Sequence, residues 1–255
     1  MTVLAIIPAR RGATRLPDKP LRLLGGAPLI VRVWERVSSL RIADRIVIAT
    51  DDPEIQQTVT SAGGTAVLTR RDHPSGTDRV AEVASRAEYS GCNVIVNVQG
   101  DEPFIDESAV RGAVEVVVSG RAPIGTAAVL AGGDVLMSPD AVKVVCDDTG
   151  RALYFSRAPI PYLRAGADAH LRDSRIRLHL GIYAYTRAAL QSWVALPVHP
   201  LEQIERLEQL RPLAAGIPIG VALASPVAVG GIDTESDLLR ANAHWDSIHA
   251  IRSPA

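Results

Sequence analysis

The sequence predicts an α/β fold in which a mostly parallel sheet carries helices on both faces and a smaller mixed α/β lobe follows. Three observations predict it. Apolar runs of strand length alternate with segments of helical period through the first third of the 255 residues, the rhythm of a parallel sheet with crossover helices. Those runs are apolar at consecutive positions, as strands covered on both faces are. The apolar fraction of 47% is enough for a large core and argues against disorder. Together they describe a Rossmann-like sheet.

Val3–Pro8 is the first such run. Pro28–Leu40 reads as a helix, with Leu29, Ile30, Val33, Val37 and Leu40 at helical spacing. Arg45–Thr50 is the next strand, and Asp52–Ala62 a helix that stops at the Gly63-Gly64 pair. A short strand over Thr65–Thr69 leads through a polar loop to a helix over Gly76–Tyr89. Asn93–Val98 is a fourth buried strand. Beyond it the pattern is less regular. Ala141–Cys146, Ala152–Phe155 and Gly181–Tyr185 have the β-branched and aromatic content of strands. Pro159–Arg175, rich in Pro, Gly and charge, reads as an exposed loop. Pro200–Leu213 and Thr234–Ile248 read as amphipathic helices. There is no repeat, no low-complexity segment and no clean domain boundary.

Bulk properties exclude several functions. A net charge of −1 gives no electrostatic footing to a general nucleic-acid binder or a polybasic membrane anchor. The apolar runs are too short to span a bilayer, and Val3–Ala9 lacks the basic segment of a signal peptide. Cys92 and Cys146 have no CxxC spacing and read as buried free thiols, so the expected compartment is the cytoplasm. Of the 27 basic residues only Lys19 and Lys143 are lysines. Where arginine replaces lysine so widely, a retained ammonium marks a place for a compact point charge. Lys143 interrupts an apolar strand and reads as a buried, paired lysine near the site.

The densest chemical signal follows the first strand. Arg10, Arg11, Gly12, Arg15 and Lys19 fall within ten residues, at the carboxyl end of a parallel strand, where open α/β sheets bind ligands. Guanidinium forks and backbone amides in such a loop can wrap a polyphosphate. The alternative reading is a solvated basic loop. Neither GxGxxG nor GxxxxGK[ST] is present, which disfavours dinucleotide and P-loop sites. Asp101 stands just past a buried strand, behind Gly100, which admits a close ligand. Asp233 precedes the last helix, where it could simply be the N-cap.

The segment Pro8-Ala9-Arg10 through Thr14-Arg15-Leu16-Pro17-Asp18-Lys19-Pro20-Leu21 resembles the signature of nucleotide-sugar pyrophosphorylases and cytidylyltransferases, in the form found in the 3-deoxy-manno-octulosonate (Kdo) cytidylyltransferase family. Six further segments occur in family order: His73-Pro74-Ser75-Gly76-Thr77-Asp78-Arg79, Val96–Pro103, Tyr154–Arg157, His179–Tyr183, Leu207–Arg211, and Gly231–Thr234. Arg11 and Leu178 depart from the pattern. The resemblance implies a nucleotide-diphospho-sugar transferase fold in a single domain over 1–255: a nucleotide-binding part over about 1–130, an acceptor and dimerisation lobe over 131–230, and a C-terminal helix over 231–255 returning to the main part.

The resemblance further implies transfer of CMP from CTP to a small acidic acceptor, usually Kdo, with pyrophosphate released. It assigns Arg10, Arg15, Lys19 and Asp101 to catalysis. Nucleotide binding falls to Ala9, Arg10, Gly12, Arg15, Lys19, Ser75, Gly76, Thr77, Arg79, Gly100 and Asp101. Acceptor binding falls to Gln99, Arg157, His179, Tyr183, Glu208 and Gln209. One Mg²⁺ on Asp101 and Asp233 is the implied cofactor, and a homodimer the implied assembly. Local alternatives stand beside these: helix capping for Ser75 or Thr77, a structural role for His179 before its strand, and a solvated helix face for Glu208 and Gln209. An alternative acceptor is a small phosphonate such as phosphonoformate, which Arg11 would favour. Two other classes are a metal-dependent glycosyltransferase, whose DxD motif has only Gly100-Asp101-Glu102 as an approximation, and a non-catalytic nucleotide-binding protein.

Overall fold

The computed structural model describes residues 1–12, 15–226 and 230–250, the side chains to 248. Thr14 of the basic motif lies outside them. The chain divides into two compact units, one of residues 1–105 with 227–255 and one of residues 106–226.

The first unit opens with β1 (Val3–Ala9), and a ribbon of two short strands, β2 (Leu23–Leu24) and β3 (Ala27–Pro28), leads to helix α1 (Leu29–Leu40). Next come β4 (Arg45–Thr50), α2 (Pro53–Ser61), β5 (Ala66–Leu68), α3 (Gly76–Ala84) and β6 (Val94–Asn97). The strands pair in the order β6-β1-β4-β5, all parallel, with Ile6 beside Asn97 and Ala9 beside Thr50. Helix α1 buries Leu29, Ile30, Val31, Val33, Val37 and Leu40, each contributing roughly 1.5–3 kcal/mol through apolar burial. Asp52 caps α2, its carboxylate accepting from the amides of Glu54 and Ile55. The predicted helix to Tyr89 stops at Ala84, and a separate 3-10 turn covers Ala87–Tyr89.

In the second unit α4 (Glu107–Val118), β7 (Ile124–Leu130), β8 (Lys143–Cys146), β9 (Ala152–Ser156), α5 (Ala169–Asp173), β10 (Arg177–Thr186), α6 (Arg187–Ala195), α7 (Pro200–Glu205), α8 (Leu210–Ala214) and β11 (Ile219–Leu223) follow in order. Strand β7 pairs parallel with β11 and antiparallel with β10; β10 also pairs with β8, and β8 with β9, both antiparallel. The region read as irregular therefore holds a mixed sheet. Helix α9 (Glu235–Ala250) belongs to the first unit. Among the described residues no helix is long and apolar enough to cross a membrane.

Several expectations are corrected. The helix expected over Pro200–Leu213 is broken at Arg206, which adopts a left-handed φ of 54°. Pro212 has no N–H and is tolerated only in a first turn, so a new helix starts at Leu210. The loop over 159–175 contains α5. Strand β10 begins four residues earlier than expected, because its first half pairs with β7 on one side and meets β8 at Leu178 on the other. Neither cysteine is in a disulfide, and only Cys92 is fully buried.

Candidate active site

The parallel order β6-β1-β4 sets three carboxyl-terminal strand ends side by side, and the loops after β6 and β1 bear site candidates. Strand and loop meet closely at Gly100: a Cβ there would stand 2.7 Å from the carbonyl oxygen of Pro8. The glycine thus serves an approach of the chain to itself, where the sequence suggested room for a ligand. In the loop after β1, Asp18 takes a left-handed φ of 55°, which aspartate tolerates better than most residues. A 3-10 turn over Lys19–Leu21 follows.

Lys19 Nζ donates to Asp101 Oδ2 at 2.6 Å and to Asp233 Oδ1 at 2.9 Å. Arg15 reaches the second Asp233 oxygen at 3.0 Å. Burial opposes the charge on Lys19, but Asp101 and then Asp233 outweigh it and hold the ammonium above its ordinary pKa. Burial, and then the charges of Asp101 and Asp233, push Glu102 up to about 8. Two carboxylates thus converge on one cation position. The amide of Ile232 donates to the Asp101 carbonyl at 2.9 Å and ties the two carboxylate-bearing segments together.

Asp233 is not the cap of α9. Thr234 Oγ1 accepts from the Asp237 amide at 3.2 Å, while Asp237 Oδ2 accepts from the amides of Thr234 and Asp233 at 2.8 and 3.1 Å. This reciprocal pattern satisfies the helix start and leaves the Asp233 carboxylate to Lys19 and Arg15. Ala9 ends β1 in the core, and Arg10 and Gly12 stand exposed just beyond it. Arg11 is exposed and paired at the surface: its guanidinium meets Asp18 and Glu54, each at 2.6 Å, and Asp52 at 3.6 Å.

Ser75 caps α3, accepting from the Asp78 amide at 3.3 Å and donating to Asp78 Oδ2 at 2.7 Å. Gly76 opens the helix and Thr77 is buried in its first turn. The Arg79 side chain is buried too, on Asp51 at 3.2 Å and on the Thr69 hydroxyl. The segment matched to base recognition therefore presents a helix start whose Ser75 and Arg79 side chains are held by the protein. Gln99 is half-buried in the loop after β6.

The remaining acceptor candidates lie in the second unit. His179 and Tyr183 flank Gly181, whose φ of +68° marks a bulge in β10. The bulge brings the two rings to 5.4 Å between centroids. Within β10 rather than before it, His179 bonds through Nε2 to Thr126 Oγ1 at 2.8 Å. Burial holds it neutral, its pKa pushed down to about 3. Burial, then Tyr185 and Glu208, raise Tyr183 well above its ordinary value.

Arg157 is fixed by Glu205 and Pro139: Nε donates to the Glu205 carbonyl at 2.9 Å and one terminal nitrogen to the Pro139 carbonyl at 2.7 Å. The Glu205 carboxylate accepts from the Ser156 hydroxyl at 2.6 Å and the Arg157 amide at 2.9 Å. Glu208 and Gln209 occupy the turn between α7 and α8, half-buried and buried, and so are not on a solvated helix face. Lys143 is fully buried, but its partners are the carbonyls of Ser138, Ala141 and Arg157 at 3.0, 2.7 and 2.5 Å. Burial first, then the Arg157 charge, lower its pKa.

Sequence reasoning missed Thr126 and Glu205. Thr126 sits in an unremarkable run of small and β-branched residues, and Glu205 lies among other charged helix positions, so neither gives a signal before the strands pair.

The site thus sets a lysine between two carboxylates, one beyond β6 and one before α9. Residues 4–219 match the family described as cytidylyltransferase. A protein of Gemmatimonas aurantiaca called 3-deoxy-manno-octulosonate cytidylyltransferase is 61% identical over 100% of this chain and 98% of its own. One of the same name from Herminiimonas arsenicoxydans is 46% identical over 96% and 99%. A solved structure described as CMP:2-keto-3-deoxy-manno-octonic acid synthetase complexed with CTP is 38% identical, with a TM-score of 0.89 over 97% of this chain and 100% of that one. At 15% identity and a TM-score of 0.61, the 4-diphosphocytidyl-2C-methyl-D-erythritol synthase of Anaerococcus prevotii shares the fold alone. The chain belongs to the cytidylyltransferase family.

Proposed function

We propose that this enzyme transfers CMP from CTP to the sugar acid 3-deoxy-manno-octulosonate, releasing pyrophosphate, and that it works in the cytoplasm as a homodimer with Mg²⁺. The observation that supports the chemistry best is the Lys19 ammonium held between Asp101 and Asp233, with Arg15 on the same carboxylate. The acceptor is supported by the names of relatives similar over nearly the whole chain. Arg11, paired at the surface with Asp18 and Glu54, adds no support to the phosphonate alternative.

Asp101 and Asp233 suit Mg²⁺. They offer hard carboxylate oxygens converging on one cation position. Among the described residues no group of three His, Cys, Asp or Glu forms a closed cage, and Mg²⁺ is commonly bound by one or two carboxylates plus substrate phosphates. When bound, Mg²⁺ supplies neutralising charge to phosphate oxygens.

An acceptor hydroxyl gives up its proton to solvent as its oxygen forms a bond to the α-phosphorus of CTP, the bond from that phosphorus to the bridging oxygen breaks, and pyrophosphate leaves in line. Lys19, Arg10 and Arg15 stabilise charge on the transferring group and on the departing pyrophosphate. Arg157, with its guanidinium oriented by backbone carbonyls, meets the acceptor carboxylate through a planar fork. Positioning and fixed charge supply the rate, and no covalent enzyme intermediate is formed.

The test is pyrophosphate release from CTP and Mg²⁺ with Kdo and phosphonoformate offered separately. Release with Kdo is expected. Release with phosphonoformate alone, or with neither, overturns the acceptor assignment.

A further inference from the structure

Thr126 is fully buried on β7, opposite Tyr183 of β10. Its hydroxyl has one proton and two polar neighbours, the Ile182 carbonyl oxygen at 2.6 Å and His179 Nε2 at 2.8 Å. A carbonyl oxygen only accepts, and two oxygens 2.6 Å apart with no proton between them would repel. The hydroxyl proton therefore goes to Ile182, and Thr126 Oγ1 must accept from His179. That requires the proton of the neutral ring on Nε2 and leaves Nδ1 with its lone pair free to accept.

The ring has nowhere to turn. Phe155 of β9 and Tyr183 meet it edge-on, at 5.0 and 5.4 Å between centroids, and the His179 amide is tied to the Val142 carbonyl at 2.9 Å. Nδ1 has no hydrogen-bond partner among the described residues, and His179 as a whole residue is half-buried.

We infer that Thr126 is a positioning residue that locks His179 as the neutral Nε2–H tautomer, so that Nδ1 is presented as a hydrogen-bond acceptor to a hydroxyl group of the sugar-acid acceptor. This deepens the proposed function and rests on it. It sets specificity by polarity. A ring that accepts a proton rewards a hydroxyl and repels an unprotonated carboxylate or phosphonate oxygen, so the anionic end of the acceptor belongs to Arg157 and a polyol portion to His179. Burial keeps the ring uncharged at neutral pH, and no charged side chain acts on it to reverse this.

The experiment is a long-range proton–nitrogen NMR spectrum of the full-length protein, with His179 assigned by its loss in His179→Gln. From pH 6 to 8 the ring should carry a proton on Nε2 only, and its Nδ1 signal should move when Kdo is added. A proton on Nδ1, or on both nitrogens, overturns the inference, as does an Nδ1 signal that ignores Kdo in an enzyme that turns Kdo over. Failure of turnover with Kdo would instead strike the proposed function, and the tautomer would still be read directly. Thr126→Val should raise the Michaelis constant for Kdo roughly tenfold, the worth of one hydrogen bond, with that for CTP unchanged. Thr126→Ser should restore it. Equal effects on both substrates, or no rescue by serine, mark a merely structural threonine; should the valine variant not fold, the wild-type spectrum decides.

Discussion

Under the proposed function Lys19 is the residue on which the chemistry turns, because a single ammonium neutralises two carboxylates and would do the same for phosphate oxygens. Replacing it with methionine keeps length and removes charge, so kcat should fall about 100-fold or more, the scale of a lost transition-state donor. Steady-state pyrophosphate release would check this. Asp101→Ala should lose activity comparably, and wild-type turnover by that variant in Mg²⁺ would sink the proposed metal role. The neighbouring Thr234 separates structure from chemistry. Thr234→Ala removes the hydroxyl that caps α9 and should cost about 1 kcal/mol of stability, read as a lower melting temperature, while Asp233 keeps Lys19 and Arg15. Lys19, Arg15 and Asp101 were all legible in the sequence from residue type and strand-end position. That Asp233 is not a cap was not legible, because the choice between two adjacent polar residues at a helix start is made by side-chain geometry.

At the scale of elements, the bulge in β10 and the break between α7 and α8 do most to place the acceptor candidates. Gly181 holds φ +68°, where any side chain with a Cβ is strained by roughly 1–2 kcal/mol. Gly181→Ala should therefore lower stability by about that amount in denaturant titration and raise the Michaelis constant for the acceptor more than that for CTP. The α7–α8 turn is stapled by Arg211, which meets both oxygens of the Glu202 carboxylate at 2.6 and 2.7 Å with both side chains nearly buried. Removing one partner of such a buried pair costs about 3–5 kcal/mol. Glu202→Gln should show that loss as a shifted unfolding midpoint, and Glu208 and Gln209 should lose their placement with it. The sequence pattern showed a charged amphipathic stretch here. It could not show that Arg206 turns left-handed and splits it, since periodicity runs on through a single residue of positive φ.

For the whole molecule, pH is the informative variable. His179 has its pKa lowered to about 3 by burial, so between about pH 6.5 and 3 the unfolded chain binds a proton that the folded one refuses. The stability tied to this group is complete above pH 6.5 and is lost as pH falls towards 3. Glu82 acts in the same direction: burial raises its pKa, but the Arg70 amide and His73 outweigh that and hold it below its ordinary value. Its contribution is present above the ordinary carboxylate pKa and lost in more acid solution. Glu102, held at about 8, acts in the opposite direction: it adds stability as pH falls from 8 towards 4.5 and offsets the His179 loss between about 6.5 and 4.5. Melting temperature should therefore drop below about pH 4.5, and His179→Gln should lessen that drop.

What the sequence by itself determined is the alternation of strand and helix in the first hundred residues and the chemistry of the loop after β1. Both are local: burial on two faces leaves continuous apolar runs, and a cluster of Arg and Lys within one loop is visible in the sequence alone. The resemblance of ordered blocks extended this to a family. Only the tertiary structure decided what meets what. The order β6-β1-β4-β5 sets the Asp101 loop beside the Lys19 loop, 82 residues apart in the chain, and the segment before α9 brings Asp233 to a lysine 214 residues earlier. In the second unit the pairing of β7 with β10 puts Thr126 under His179. Such meetings depend on strand order and register, which arise from packing over the whole sheet, and no local pattern of residues encodes them.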